Sequence, residues 1–215
     1  MFTRISRTLS EASGRRGLTA LKEWAIICNA LEDGSQAILL RKGGILEYKH
    51  GFQVTHNCFY LYPTFEHQSR DYLKSQYWGK MDETLRTAEF DENGKVVIIR
   101  SWGEVKQIHK IRNMDELLKI RNYHIWSDKY LQMRLNYNSS KPLYLLVVRV
   151  YKLVQELKIE ILPQWSGCKS WVDIDIARYE NLDNRTDINK LDLLQPVIVD
   201  SEFQKIRDRL EKDLE

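Results

Sequence analysis

The chain has 215 residues, 43% of them hydrophobic and 29% charged, with six Trp, eleven Tyr and a formal net charge of +3. That length and aromatic content exclude a disordered chain and point to one sizeable core. No apolar run approaches the roughly 20 residues that span a bilayer, so no membrane association is expected.

Charge is unevenly placed. Residues 1–22 hold five cations against Glu11, and residues 180–215 hold ten acids against six bases. Residues 1–19, rich in Ser, Gly, Thr and Arg without periodicity, read as a flexible basic arm. Residues 20–178 read as the core domain, and residues 179–215 as an acidic C-terminal extension. The arginines near the start are followed by no apolar stretch of the secretory kind, which makes a cytoplasmic location the expectation.

Along the chain, residues 20–31 and 36–40 flank Glu32-Asp33-Gly34-Ser35. Asp-Gly between apolar runs is a strong hairpin signal, so two antiparallel strands are expected, the first beginning as a helical turn. The second run, Ala37-Ile38-Leu39-Leu40, ends in Arg41-Lys42-Gly43-Gly44. Glycines free the backbone to aim N–H groups into one concavity and the cations add charge, which is the composition of a phosphate-binding corner. Its spacing matches neither a Walker loop nor a dinucleotide-binding turn.

Residues 51–56 and 58–62 are expected strands, the latter alternating Phe59 and Leu61 against Tyr60 and Tyr62 and ending at Pro63. Thr64 is expected to cap a helix through Glu66, Tyr72 and Tyr77. Residues 95–100 form a β-branched strand after the turn at 91–94, and residues 105–111 are expected to pair with it. Asn113 caps a helix from 114 to about 121, with Asp115 and Glu116 in the first turn, where negative charge suits the helix dipole. Ser127-Asp128 starts another helix toward Leu135.

Residues 142–151 are the longest apolar run, the mark of a central strand covered on both faces. Residues 172–176 alternate as an edge strand. Residues 200–214 form a charged amphipathic helix with Phe203, Ile206, Leu210 and Leu214 on one side. Internal repeats and regular βαβ alternation are absent. The fold class is therefore α+β, a single domain with a mostly antiparallel or mixed central sheet or partial barrel and flanking helices.

Chemistry-bearing residues are scattered. None of His50, His56, His67, His109 and His124 has a zinc-site spacing, so no metal and no cofactor is expected. His67 and His124 stand out for their aromatic and turn contexts as candidate acid/base groups. Cys28, Cys58 and Cys168 form neither a disulfide framework nor a zinc knuckle, and buried small hydrophobes are the default reading. Cys168 beside Lys169 is a candidate nucleophile, because a neighbouring cation favours the thiolate. Asp91 with Glu104 and Lys106 has the shape of a nuclease constellation. However, acid-x-Lys occurs three times in the chain, against roughly two expected by chance, which makes the motif weak.

Guanidinium groups grip phosphates and aromatic faces stack on bases. Arg41, Lys42, Arg134, Arg149 and Lys169 lie near element ends, with Trp126, Trp165 and Trp171 close to some of them. The competing reading puts Trp126 and Trp171 in the core and makes Arg149 a buried structural arginine paired to a carboxylate.

Five separated segments resemble a bacterial, cyanobacteria-rich family, domain of unknown function 1802. They are Leu40-Arg41-Lys42-Gly43-Gly44-Ile45, Phe59 to Thr64 with His67-Gln68, His124-Ile125-Trp126, Pro142 to Tyr151, and Gly167 to Trp171. The resemblance spans about residues 20–175 and implies a single domain without implying a mechanism. The leading functional expectation is a binding module for nucleic acid or a nucleotide, using Arg41, Lys42, Gly43, Gly44, Arg134, Arg149, Lys169, Trp126 and Trp171. One alternative is a hydrolase, a nuclease or phosphoesterase, using His67, His124 and Cys168 or Asp91, Glu104 and Lys106. Another is a scaffold that captures a protein partner through its C-terminal helix.

Overall fold

The computed structural model describes residues 17–42, 57–86, 95–167, 169–175 and 195–215. The apolar run after Pro142 becomes β5 (Leu143–Glu160), whose first eight residues are buried on nearly every side. It pairs with β4 (Val96–Ile111) in a long antiparallel ladder. Around that pair stand β1 (Gly17–Trp24), β2 (Ile38–Lys42), β3 (Cys58–Thr64) and β6 (Trp171–Asp175). The sheet order is β2-β5-β4-β3-β1-β6. Only β1 and β3 run parallel, so the sheet is mixed, open and part of an α+β single domain.

The helices are α1 (Ala25–Glu32), α2 (Trp78–Arg86), α3 (Met114–Lys119), α4 (Asp128–Asn136) and α5 (Asp200–Leu214). Asn113 caps α3, its Oδ1 accepting from the Glu116 N–H at 3.0 Å, and the Ser127 hydroxyl caps α4. Both caps and both helix starts were legible, because a cap is a contact between residues three apart.

Two clusters fill the sheet's two faces. Phe59 and Leu61 of β3 join the larger one with α1, β2, α3, α4 and α5, while Tyr60 and Tyr62 join the other with Trp102 and Trp165. The expected alternation holds, but both of its faces are buried. Pro63 stays within β3 as a partner of Glu23. β4 leaves β3 after Tyr60, so this stretch needs a neighbour on one side only, which proline tolerates.

The expected hairpin at Asp33-Gly34 does not form. Residues 25–32 are helical, and the Asp33 N–H closes the helix by donating to the Asn29 carbonyl at 3.0 Å. Gly34 follows at φ +79°, the left-handed residue that ends a helix. β1 then pairs with β3 and β6, and β2 with β5. A run apolar at nearly every position suits a buried helix as well as a strand, and burial of Ala25, Ile26, Ile27, Cys28, Ala30 and Leu31 decides for the helix.

Residues 95–100 and 105–111 are likewise not two paired strands but one, β4. Gly103 sits between them because a side chain there would meet Val148 at 3.0 Å and Phe59 at 3.1 Å. The helix expected from Thr64 is also absent. The Thr64 hydroxyl accepts from the Glu66 N–H at 3.3 Å in a local turn, and two short 3₁₀ turns precede α2. Residues 51–56 lie outside the described residues.

Helix α5, expected within the acidic extension, lies against the main core. Phe203 and Leu210 are buried there, and Ile206 and Leu214 pack on the same cluster. Its apolar stripe is therefore already covered, which corrects the expectation that this face captures a protein partner. Among the described residues no helix is long and apolar enough to cross a membrane. Truncating a fully buried leucine costs about 2–5 kcal/mol. Leu210→Ala should accordingly lower the urea unfolding midpoint strongly, whereas Leu85→Ala, at a half-exposed position, should change stability by less than about 1 kcal/mol.

Candidate functional site

β1 ends on Lys22-Glu23-Trp24, β2 on Arg41-Lys42, and β3 on Thr64 before the turn at Glu66 and His67. The ends of β1, β2 and β3 meet α4 and the turn before β6 around a cleft of about 180 Å³. Four predicted residues converge there: Arg41, His67, Arg134 and Lys169.

A buried ion pair braces the cleft. The Arg41 Nη2 donates to Glu23 Oε2 at 2.7 Å, and Glu23 Oε1 accepts from the Trp24 N–H at 2.8 Å. Lys22 Nζ donates to Glu66 Oε2 at 3.2 Å and to the carbonyls of Trp165 and Gly167, each at 3.1 Å. Lys22 thus ties the turn before β6 to the end of β1. Lys169 Nζ donates to the Gln164 carbonyl at 2.6 Å and is otherwise exposed. His67 is exposed at φ +62°, a left-handed backbone that an L side chain adopts at a cost of about 1 kcal/mol or more.

Arg134 differs from these cations. Its guanidinium sits 5.9 Å from the Tyr137 ring, and among the described residues it forms no ion pair with a carboxylate and its buried Nε has no partner. The Arg41 Nε is likewise buried and has no partner among the described residues. Lys22, Arg41, Arg134 and Lys169 outnumber Glu23 and Glu66 around the cleft. Trp24 and Tyr130 form its aromatic wall, their ring centroids 5.2 Å apart.

The remaining predicted residues lie elsewhere. Lys42 is only 6% exposed and donates to the Leu135 carbonyl near the end of α4, so it is no anion contact. Burial lowers its pKa, and the Arg134 charge lowers it further. Arg149, 3% exposed, donates to Asp200 and lies 4.7 Å from the Phe203 ring centroid. It is the buried structural arginine of the competing reading, fastening α5 to β5. Trp126 stacks on Tyr130 at 5.3 Å inside the core, and Trp171 packs edge-on against Phe59. Neither offers a stacking face at the cleft.

His124 is corrected as an acid/base candidate. It is 1% exposed, and its ring sits 5.3 Å from Trp126 inside the core. Burial, aided by the Lys74 and Arg121 charges, lowers its pKa to about 3, so the ring is neutral. Glu104 and Lys106 pair with each other at 2.6 Å on β4, away from the cleft lining. Gly43, Gly44, Asp91 and Cys168 lie outside the described residues. Among the described residues no group of three His, Cys, Asp or Glu side chains is placed to hold a metal ion.

Sequence reasoning missed Lys22, Glu23, Trp24 and Tyr130. The available signal was the charged pair Lys22-Glu23 before Trp24, and it was absorbed into an element expected to continue to residue 31.

The His124 ring carries a pH signature. Its pKa is near 6.5 when unfolded and about 3 when folded. Its contribution to stability is therefore complete above about pH 6.5 and is lost as the pH falls from there toward 3. Between pH 7.5 and 5.0 the wild type should lose about 2 kcal/mol more stability than His124→Asn, measured by urea unfolding. Equal losses in the two proteins would contradict the assignment.

Against known proteins, no curated sequence matches the chain. Among solved structures, the crystal structure of ASCH from Zymomonas mobilis is similar at 11% identity and a TM-score of 0.40, covering 82% of this chain and 95% of that one. A likeness that slight carries no functional argument. The model of one family, described as a domain of unknown function (DUF1802), matches residues 20–209. That span runs from β1 through most of α5, beyond the stretch expected from the five motifs. The core strands, the cleft and the packed C-terminal helix thus fall within one match, and the chain belongs to the DUF1802 family.

Proposed function

We propose that the cleft binds a phosphate-bearing ligand, a nucleotide or a segment of nucleic acid. The observation that carries this reading is the meeting of two guanidinium groups, Arg41 and Arg134, in a cleft whose cations outnumber its acids, their Nε atoms having no partner among the described residues. A buried donor left unpaired costs about 1–3 kcal/mol, and the guanidinium groups that carry these two donors line the cleft, where their charge suits an anion. Arg134 also lacks a carboxylate partner among the described residues, so its charge is open to a ligand.

Ligand size follows from the space. A cleft of about 180 Å³ is below the roughly 300–1,000 Å³ that encloses a drug-sized ligand. It holds part of a molecule, such as one phosphate with its sugar, while the rest continues along the surface. Trp24 presents aromatic surface beside the cations, with the buried Tyr130 ring packed against it, and Lys169 supplies an exposed ammonium at the rim. Arg41 is both ligand contact and brace, because it holds Glu23.

Fluorescence anisotropy with a labelled single-stranded oligonucleotide tests the reading. About three phosphate contacts predict a loss of affinity on the order of tenfold between 50 and 200 mM salt. Arg134→Ala and Lys169→Ala should each weaken binding and lower the salt slope by about one, with unchanged unfolding midpoints. Binding that ignores salt, or that survives both substitutions, would rule out this site.

A further inference from the structure

A second cavity, of about 450 Å³, shares no lining residue with the cleft. Its size falls in the usual range for small-molecule sites. An irregularity in the β4–β5 ladder makes one wall. Ile99 pairs with Leu157 and Ser101 with Lys152, so residues 153–156 of β5 stand opposite Arg100 alone. Bulges of this kind re-aim side chains and are common beside functional sites. Here the bulge brings Leu153 and Glu156 to the cavity and leaves Val154 88% exposed. The Arg100 Nε donates to Glu156 Oε1 at 2.8 Å. The opposite wall is α1 against α2, joined by the Asn29 Nδ2 donating to Thr84 Oγ1 at 2.8 Å and by the Lys80–Asp33 ion pair.

Glu32 stands between these walls. The hydroxyl of fully buried Ser101 donates to its Oε1 at 2.6 Å. Burial raises its pKa, while the Ser101 hydrogen bond and the charges of Arg100 and Lys152 oppose that rise. Lys152 is the cross-strand partner of Ser101, so its side chain leaves the same face of the sheet beside the Ser101–Glu32 bond. Lys152 nevertheless forms no ion pair among the described residues. A carboxyl group with one oxygen filled and an ammonium group thus share the cavity without pairing.

We propose that this cavity binds a small zwitterion of the amino-acid class, its ammonium on Glu32 and its carboxylate on Lys152. Charge balance selects that class. A polyanion would meet Glu32, Asp33, Glu83 and Glu156, and a polycation would meet Lys80, Arg100 and Lys152. A molecule carrying one charge of each sign matches both halves. The site is separate from the anion cleft, and the two readings stand or fall independently.

Titration of the full chain with glycine, β-alanine and 4-aminobutyrate, followed by saturation-transfer NMR and thermal unfolding, tests the proposal. Methylamine and acetate serve as single-charge controls. At least one amino acid should bind saturably and raise the melting temperature, with both controls about tenfold weaker. Lys152→Ala, at an exposed position, and Glu32→Gln, which retains an acceptor for Ser101, should each weaken that binding by about tenfold or more. Arg134→Ala should leave it unchanged. No saturable amino-acid binding, equal binding of methylamine or acetate, or binding unaltered by Lys152→Ala overturns the proposal.

Discussion

Strands β4 and β5 pair over most of their 16 and 18 residues, and every other strand takes its place from that ladder. The outer side of β5 receives β2, and the outer side of β4 receives β3, which in turn carries β1 and β6. An antiparallel ladder this long must absorb any mismatch in residue number as a bulge, because each backbone N–H and C=O left unpaired in the interior costs free energy. The register shifts twice: between Ile99 and Ser101, where the extra residues belong to β5, and between Val105 and Gln107, where Lys106 is the extra residue of β4. The first opens the cavity at Glu32. The second lies next to the Glu104–Lys106 pair, which suggested a nuclease in the sequence and is a local ion pair in the fold.

Buried cations hold the layers together. Lys42 reaches the Leu135 carbonyl near the C-terminal end of α4, where the helix dipole favours positive charge. Arg149 sits against the Phe203 and Tyr151 rings with Asp200 as its counter-ion, a setting that compensates a desolvated guanidinium through hydrogen bonding and ring contact. These are fastening roles. Removing either side chain would disturb the placement of a helix before it disturbed any ligand.

The cleft and the cavity differ in electrostatic character. In the cleft, cations exceed acids and two buried guanidinium nitrogens have no partner among the described residues. In the cavity, acids and cations are nearly balanced and most are already paired within its walls. Charge excess favours an anion whose field is strong and spread over several oxygens, whereas balanced charge penalises any ligand of a single sign.

Local physics was legible in the residues alone. The caps at Asn113 and Ser127, the apolar stretch of β5 and the amphipathic period of α5 each depend on neighbours a few positions away, and each appears where its pattern placed it. Asp33-Gly34 was ambiguous because a hairpin and a helix end both call for a left-handed glycine, and only the burial of residues 25–31 separates them. Arg41, Lys42, Arg134 and Arg149 looked alike in sequence. Two line a cleft and two fasten helices, since the role of a cation is set by the groups within a few ångströms of it. Composition and periodicity determined an α+β domain rich in cations at element ends. Tertiary contacts between residues far apart in the chain decided which of those cations line the cleft, because that depends on which carboxylates and carbonyls the fold has already brought to them.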